Sequence, residues 1–147
     1  MDDSTKKTHG VDLTFVDMDQ PHTLKTFKAD VETIEPGFAR IRYPFKLDWC
    51  NPRGSLQGGM FGVFLDEVMG YAMIGNHPKL DTLWTTLTLN ITYLRPITSE
   101  IIAEGRVIRE GKRTVYVEGE LLTPDGKLAA KASSSMMILR RDGELVE

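Results

Sequence analysis

The fold of this chain is decided by residues 57–74, which read QGGMFGVFLDEVMGYAMI. From Met60 to Ile74 the apolar side chains fall on nearly every face of a helix, which predicts a helix that other parts of the fold surround. This stretch of about 15 residues contains two acids and is too short to cross a bilayer, which takes roughly 20 apolar residues. The following GNHP, residues 75–78, is typical of a helix end.

Alternating apolar and polar residues on both sides of this helix predict β-strands. Residues 39–46 alternate in this way, and Pro44 favours a strand end or an edge strand. After the helix come four extended runs, over about residues 86–93, 100–108, 114–122 and 128–139. The connectors 109–113 and 123–127 are short and contain Gly, as hairpins do. The sequence therefore predicts a strand, the long helix and then an antiparallel meander.

These elements predict an α+β fold in which an antiparallel sheet is wrapped around one long central helix. The sheet covers the remaining faces of such a helix if it curls, or if a second copy of the chain covers them. The length of 147 residues suits one domain. We expect a flexible arm over residues 1–24, where apolar residues are few, and a folded domain over residues 25–147.

Composition and charge exclude several classes of partner. The net charge of -3 has interspersed signs and lacks a basic footprint, so we expect no nucleic-acid partner. Cys50 is the single cysteine and fits a reducing compartment, and the first residues lack a leader pattern, so we expect a cytoplasmic protein without membrane association. The histidines His9, His22 and His77 lack ligand spacing, so we expect no metal.

Two carboxylates, Asp66 and Glu67, lie in the middle of the apolar helix, where an unpaired charge would be costly to bury. Adjacent helical residues point about 100° apart, so the two cannot form one catalytic dyad. One of them can face a pocket while the other reaches solvent or a partner. The alternative is that both are structural carboxylates satisfied by hydrogen bonds or ion pairs.

Gly58 and Gly59 open the helix, where unpaired N–H groups and the positive end of the helix dipole favour a developing oxyanion. Taken alone, such a pair is more often a tight turn or a point of close packing than a site. Gly58 and Asp66 are eight residues apart, which is roughly 12 Å along a helix. If both act on one carbonyl group, they come from different subunits, so the spacing predicts a dimeric site.

Three stretches resemble the hotdog-fold acyl-CoA thioesterases of the phenylacetate-pathway and 4-hydroxybenzoyl-CoA type. They are NPRGSLQGG at 51–59, Leu65-Asp66, and LNITYLRP at 89–96, within a resemblance that runs from about residue 43 to residue 139. In that family an acid follows nine residues after a histidine that opens the central helix, and Asp66 holds this position. The resemblance implies that Asp66 is the nucleophile or general base and that the Gly58 N–H polarises the thioester carbonyl.

The same resemblance assigns Asn51 to the active-site turn and Thr86 to a facing strand, where it helps to hold the attacking water. Gln57 stands where the family has the histidine, and its amide can orient a substrate but carries no titrating charge. The alternative function is a non-catalytic hotdog protein that binds or senses acyl-CoA. A dehydratase of this superfamily presents an Asp–His pair, and the helix and its entry turn contain no histidine.

The resemblance implies an acyl-CoA substrate, with coenzyme A as part of the substrate and no separate cofactor. Gly59 allows the substrate to approach the backbone. The cations Arg95, Lys112 and Arg113, with Arg106 nearby in sequence, are candidates for binding the coenzyme's phosphates, although most exposed Lys and Arg side chains are solvated surface charges. We expect self-association to a homodimer or homotetramer.

Overall fold

The computed structural model describes residues 7–8 and 11–147. Within these residues the chain forms two α-helices, nine strands and a short 3-10 turn at Leu47–Trp49. In chain order the elements are β1 Lys7–Thr8, β2 Val11–Asp12, α1 Thr23–Thr26, β3 Asp30–Glu35, β4 Phe38–Tyr43, α2 Gly58–Asn76, β5 Leu83–Tyr93, β6 Ile101–Glu110, β7 Thr114–Leu122, β8 Leu128–Arg141 and β9 Glu144–Leu145. No helix among the described residues is long and apolar enough to span a membrane.

One antiparallel sheet contains seven of these strands, in the order β3-β4-β6-β7-β8-β5, with β9 added beside β8. This sheet and the long helix α2 confirm the α+β class. Strands β6, β7 and β8 form the predicted meander, but the prediction is wrong for β5, which pairs with β8 instead of β6. The link at residues 94–100 contains Pro96 and is too long for a tight hairpin, so the chain crosses to a place beside β4 before β6 begins.

Helix α2 lies in a trough of small residues on the inner face of the sheet. Ala39, Gly105, Gly119 and Ala132 are register partners in a row across β4, β6, β7 and β8. A Cβ atom at Gly105 would lie 2.6 Å from the carbonyl oxygen of Val68 on the helix. Because the row lacks bulky side chains, the helix backbone approaches the sheet more closely than a larger residue would permit.

The sheet of one chain covers one side of α2. Its buried residues recur at helical spacing and are Phe61, Phe64, Leu65, Val68, Met69, Ala72 and Met73. Another side carries Gly62, Asp66 and Gly70, of which Asp66 is exposed and the two glycines are half-buried. Strand β5 reaches this side at Gly62 and Asp66 but leaves Asp66 exposed, so the predicted burial of nearly every helix face is incomplete in a single chain.

Strand β3 was missed by the sequence reading because a bulge breaks its alternation. The register shifts between Val31 and Thr33, so Val31 and Ile34 both lie opposite inward-facing residues of β4 although they are three positions apart. The inward-facing apolar residues of β3 therefore do not recur at every second position, as they do in a regular strand. Short β-strands with interrupted alternation give little signal in a sequence.

The predicted arm, residues 1–24, lies partly outside the described residues, which omit 1–6, 9 and 10. Within the described part, Leu13 and Leu24 are buried in the core. The flexibility of the arm and its boundary with the domain stay predictions.

Candidate active site

The start of helix α2 is held by Gln57, which is its N-cap residue. The Gln57 side-chain oxygen accepts the Gly59 N–H at 2.7 Å, and the Gln57 carbonyl accepts the Met60 N–H at 2.9 Å. The N–H groups of Gly59 and Met60 are therefore occupied. Within the described residues, the Gly58 N–H has no acceptor. We call residues 57–59 the donor turn, since it presents one free N–H at the positive end of a 19-residue helix.

The donor turn opens onto a cavity of about 410 Å³. The cavity is lined by Asn51, Leu56, Gly58, Phe61, Tyr93, Leu94, Arg95 and Pro96. Asn51 is engaged with its own loop, because its side chain donates to the Ser55 hydroxyl at 3.0 Å and accepts the Arg53 N–H at 2.9 Å. These hydrogen bonds fix the turn at residues 51–55, which forms part of the cavity wall beside Gly58.

Asp66 and Thr86 form a second group of polar side chains, which we call the acid pair. The Thr86 hydroxyl donates a 2.9 Å hydrogen bond to Oδ1 of Asp66. Both residues are exposed on a single chain, where the edge strand β5 passes beside α2. The acid pair thus presents a carboxylate with one oxygen already oriented and the other, Oδ2, available to a substrate or a water molecule.

A β-bulge aims Thr86 at the helix. The register of β5 shifts between Thr86, which pairs with Met136, and Thr88, which pairs with Ser135. Leu87 is the extra residue, so Thr86 shares the inner face with Leu89, although strict alternation would place these two residues on opposite faces. The bulge therefore brings Thr86 to Asp66, which alternation alone would not do.

Glu67 points away from the acid pair, as its neighbouring position on the helix requires. It accepts hydrogen bonds from the Tyr43 hydroxyl at 2.6 Å and from the Thr23 hydroxyl. Burial, together with the adjacent Glu67 carboxylate, raises the pKa of Tyr43 well above its usual value, and the same causes raise the pKa of Tyr71. Glu67 is thus a structural carboxylate that ties α1 and β4 to α2.

The predicted cations lie in different places. Arg95 lines the cavity at the donor turn, whereas Lys112 lies in the β6–β7 turn beside another cavity of about 300 Å³. The neighbouring Arg113 carbonyl accepts the Ile138 N–H at 2.7 Å, which holds this turn against β8. Arg106 packs on the Phe38 ring at 4.5 Å. The structure brings only Arg95 of these cations to the donor turn.

Sequence reasoning missed the role of Tyr93. Its hydroxyl donates a 2.8 Å hydrogen bond to the Gly58 carbonyl, and its ring packs against Phe61 with centroids 4.9 Å apart. The motif that contains Tyr93 was recognised, but a hydrogen bond across 35 residues leaves no local pattern in a sequence. Among the described residues, no cluster of His, Cys, Asp and Glu is arranged to hold a metal ion.

A curled antiparallel sheet around one long helix is the hotdog class of fold. The candidate site adds a free N–H where the helix begins and a carboxylate further along it. A profile of the thioesterase superfamily matches residues 53–130, more than half of the chain. The chain belongs to this hotdog-fold thioesterase superfamily.

Individual relatives agree with this assignment. A Saccharolobus solfataricus protein, named provisionally as an esterase, is 33% identical over 117 residues, which cover 79% of this chain and 82% of that protein. A Ralstonia eutropha structure, described provisionally as a thioesterase and phenylacetic acid degradation-related protein, has 29% identity and a TM-score of 0.71, and the match covers 81% of this chain and 92% of that chain. A hypothetical thioesterase from Streptococcus pneumoniae, solved with coenzyme A, has 18% identity and a TM-score of 0.71, with 77% and 90% covered, which shows likeness of fold.

Proposed function

We propose that this protein hydrolyses acyl-CoA thioesters to a free acid and coenzyme A, at a site that two copies of the chain build together. The observation that carries the proposal is the donor turn, where capping by Gln57 leaves the Gly58 N–H as the free donor. A single donor of this kind contributes roughly 3 to 4 kcal/mol to stabilising an oxyanion. Membership of the thioesterase superfamily and the coenzyme A held by the S. pneumoniae protein support the substrate class.

Two copies are required by the spacing along α2. The Gly58 N–H and the Asp66 carboxylate are separated by eight residues, or about 12 Å of helix, which is too far for both to reach one carbonyl group. Both groups lie beside β5, since Gly58 contacts Tyr93 and Asp66 accepts a hydrogen bond from Thr86, and β5 is an edge strand of the sheet. A second copy that pairs along β5 would cover this edge and bring the donor turn of one subunit to the acid pair of the other.

The chemistry then follows from the two groups. The thioester oxygen accepts the Gly58 N–H, which stabilises the negative charge that develops when a nucleophile adds to the carbonyl carbon. As a general base, Asp66 takes a proton from water, the hydroxide adds, the C–S bond breaks and the coenzyme leaves as a thiolate that is reprotonated. As a nucleophile, Asp66 instead forms an anhydride that water hydrolyses. Thr86 orients the carboxylate in either case.

The remaining residues are assigned to binding. Arg95, on the cavity wall beside Gly58, is the first candidate for a phosphate of the coenzyme, and Lys112 and Arg113 are candidates from the β6–β7 turn. Gly59 has no side chain, so the substrate can approach the backbone of the donor turn closely. Asn51 stabilises the turn at residues 51–55 on the cavity wall. Gln57 acts as the cap of the turn, a role that needs an acceptor but no titrating proton.

The test is release of free thiol from a panel of acyl-CoAs, aromatic through long-chain, by the wild type and by variants. Asp66→Asn removes the basic carboxylate and should abolish turnover while the fold and assembly persist. Gly58→Pro removes the proposed donor at the first helical position, where proline is well tolerated, and should lower kcat by about 100-fold or more. Gly58→Ala is the matched control, because it keeps the N–H and its Cβ would meet Tyr93 at an ordinary 3.7 Å.

The outcomes separate the two functions. Turnover that collapses in Asp66→Asn and Gly58→Pro but survives in Gly58→Ala supports hydrolysis at this site. Tight binding of acyl-CoA without turnover by the wild type would instead favour a binding or sensing protein. Equal activity of the Gly58 variants would show that the N–H is not the oxyanion donor.

A further inference from the structure

We propose that Tyr93 is a positioning residue for the oxyanion donor, because its hydroxyl fixes the glycine turn that presents the Gly58 N–H. The inference rests on the proposed thioester hydrolysis and adds to it a residue that does not itself touch the reacting atoms. It also makes the end of strand β5 part of the site's architecture.

The donor turn needs an external support because it contains two consecutive glycines. Glycine loses more backbone freedom on ordering than other residues. Stabilisation of a transition state by a hydrogen-bond donor depends on that donor being held in place beforehand. A turn that opens with Gly58 and Gly59 is therefore a poor donor unless neighbouring groups hold it.

Three hydrogen bonds hold this turn from outside the helix backbone. The Gln57 N–H donates to the Trp49 carbonyl at 2.9 Å, and the Gln57 side chain accepts the Gly59 N–H at 2.7 Å. The third is the 2.8 Å bond from the Tyr93 hydroxyl to the Gly58 carbonyl, which restrains the peptide plane that follows Gly58. Of the three, it alone comes from a strand of the sheet.

Tyr93 is 53% exposed, and its ring is placed by its contacts with Phe61 and Gly58. It packs on Phe61, one turn along the helix, with an interplanar angle of 53°. A Cβ atom added at Gly58 would lie 3.7 Å from the Tyr93 hydroxyl oxygen, so the phenol lies directly against the glycine. Ring and hydroxyl therefore restrain Gly58 from the side, while the N–H stays open to the cavity that both residues line.

The variant Tyr93→Phe removes the hydroxyl and keeps the ring. A net hydrogen bond is worth about 1 kcal/mol, so kcat should fall roughly 5- to 10-fold. KM should stay within about 2-fold, because the hydroxyl is engaged with the Gly58 carbonyl and the variant keeps the ring that lines the cavity. Tyr116→Phe is the matched control for kcat, since Tyr116 lies on β7 opposite Ser135, away from the donor turn and beside the cavity at Lys112, and should leave kcat unchanged.

A spectroscopic readout separates positioning from a general structural role. The infrared carbonyl stretch of a carbon-13-labelled acyl-CoA, bound to the inactive Asp66→Asn protein, reports how strongly the donor polarises the thioester. Adding Tyr93→Phe to Asp66→Asn should reduce the shift of that band, whereas adding Tyr116→Phe should not. The amide order parameter of Gly58, measured by nuclear magnetic resonance in the wild-type background, should likewise fall in Tyr93→Phe alone.

The inference and the proposed function fail in different ways. A wild type without turnover on any acyl-CoA contradicts the proposed function, and the Gly58 order parameter then still decides whether Tyr93 holds the turn. An active wild type whose kcat, carbonyl band and Gly58 order are unchanged by Tyr93→Phe overturns the inference alone. A loss confined to KM would also overturn it, because Tyr93 would then contact the substrate instead of positioning Gly58.

Discussion

At the scale of single residues, Gln57 determines which backbone donors at the start of α2 are available. Its side chain occupies the Gly59 N–H and leaves the Gly58 N–H open. A neutral amide performs this capping without adding charge beside the proposed position of the oxyanion. The histidine that the family has at this position is therefore not needed to build the turn.

We expect Gln57→Glu and Gln57→Ala to separate capping from electrostatics. Glutamate keeps an acceptor for the Gly59 N–H and interacts favourably with the helix dipole, so the unfolding free energy should be retained. Its negative charge should, however, oppose the oxyanion and lower kcat. Alanine removes the cap and should cost about 1 kcal/mol of unfolding free energy. Urea unfolding and steady-state kinetics of both variants measure the two effects. A Gln57→Glu protein as active as the wild type would contradict the placement of the oxyanion at Gly58.

At the scale of elements, the bulge at Leu87 decides which side chains of β5 reach the helix. We expect deletion of Leu87 to restore strict alternation and turn Thr86 away from Asp66, with a loss of kcat/KM of roughly 100-fold. Leu87→Met keeps the residue count and the apolar side chain and is the matched control. Comparison with Thr86→Val shows how much of the loss comes from the hydroxyl. A deletion variant with wild-type kinetics would show that Thr86 does not support Asp66.

The row of small residues under α2 leads to a second prediction about elements. Gly105→Ala would place its Cβ 2.6 Å from the Val68 carbonyl oxygen. Because relief of this clash requires the helix backbone to move, we expect a loss of about 3 kcal/mol in unfolding free energy. Gly119→Ala meets the flexible ends of Leu65 and Met69 at 3.1 Å and should cost only about 1 kcal/mol. Chemical denaturation of both variants gives the comparison. Equal losses would mean that the helix can move away from the sheet.

The sequence predicted the elements that carry long, regular patterns and missed those that depend on irregularity. Helix α2 and strands β6, β7 and β8 follow from apolar periodicity and glycine turns. The bulge at Leu87 and the pairing of β5 with β8 do not, because alternation says which face a residue takes but not its partner strand. For the site, Asp66, Gly58 and Thr86 were predicted from motifs, whereas Tyr93 emerged only from a contact between distant parts of the chain.

At the scale of the whole molecule, a shared site makes complementation the decisive experiment on assembly. We expect a mixture of Asp66→Asn and Gly58→Pro subunits, each inactive alone, to recover activity after subunit exchange. Random pairing would give about half mixed dimers with one intact site each, so about a quarter of wild-type activity should return. Thiol release before and after mild unfolding and refolding of the mixture measures this. Persistent inactivity in verified mixed dimers would contradict the two-chain site.

The stability of the molecule at low pH should depend on Glu110. Burial raises its pKa, but hydrogen bonds and charge from His77 and Arg141 outweigh this effect and hold the pKa below its ordinary value. A carboxylate with a lowered pKa in the folded state stabilises that state above its unfolded pKa and loses this contribution as the pH falls through the folded value.

We therefore expect the unfolding free energy lost in Glu110→Gln to be largest near about pH 6 and to shrink toward about pH 3. Urea titrations across this range measure the difference from the wild type. Glu118→Gln is the control for net charge, since Glu118 lies on the outer face and its nearest cation is 3.9 Å away on Lys131. A difference for Glu110→Gln that stays constant with pH would show that the pKa of Glu110 is not lowered by folding.

The pairing of β5 with β8 has a consequence for how the protein is made. The strand that carries Thr86 and Tyr93 is translated before its partner residues, from Ala130 to Arg140, because β6 and β7 lie between them in the chain. Until they emerge, β5 cannot pair within its own chain, and its apolar inner face stays open to solvent or to chaperones. Both halves of the proposed site should therefore be completed only after β8 has left the ribosome, with β5 docking late on a meander of β6, β7 and β8.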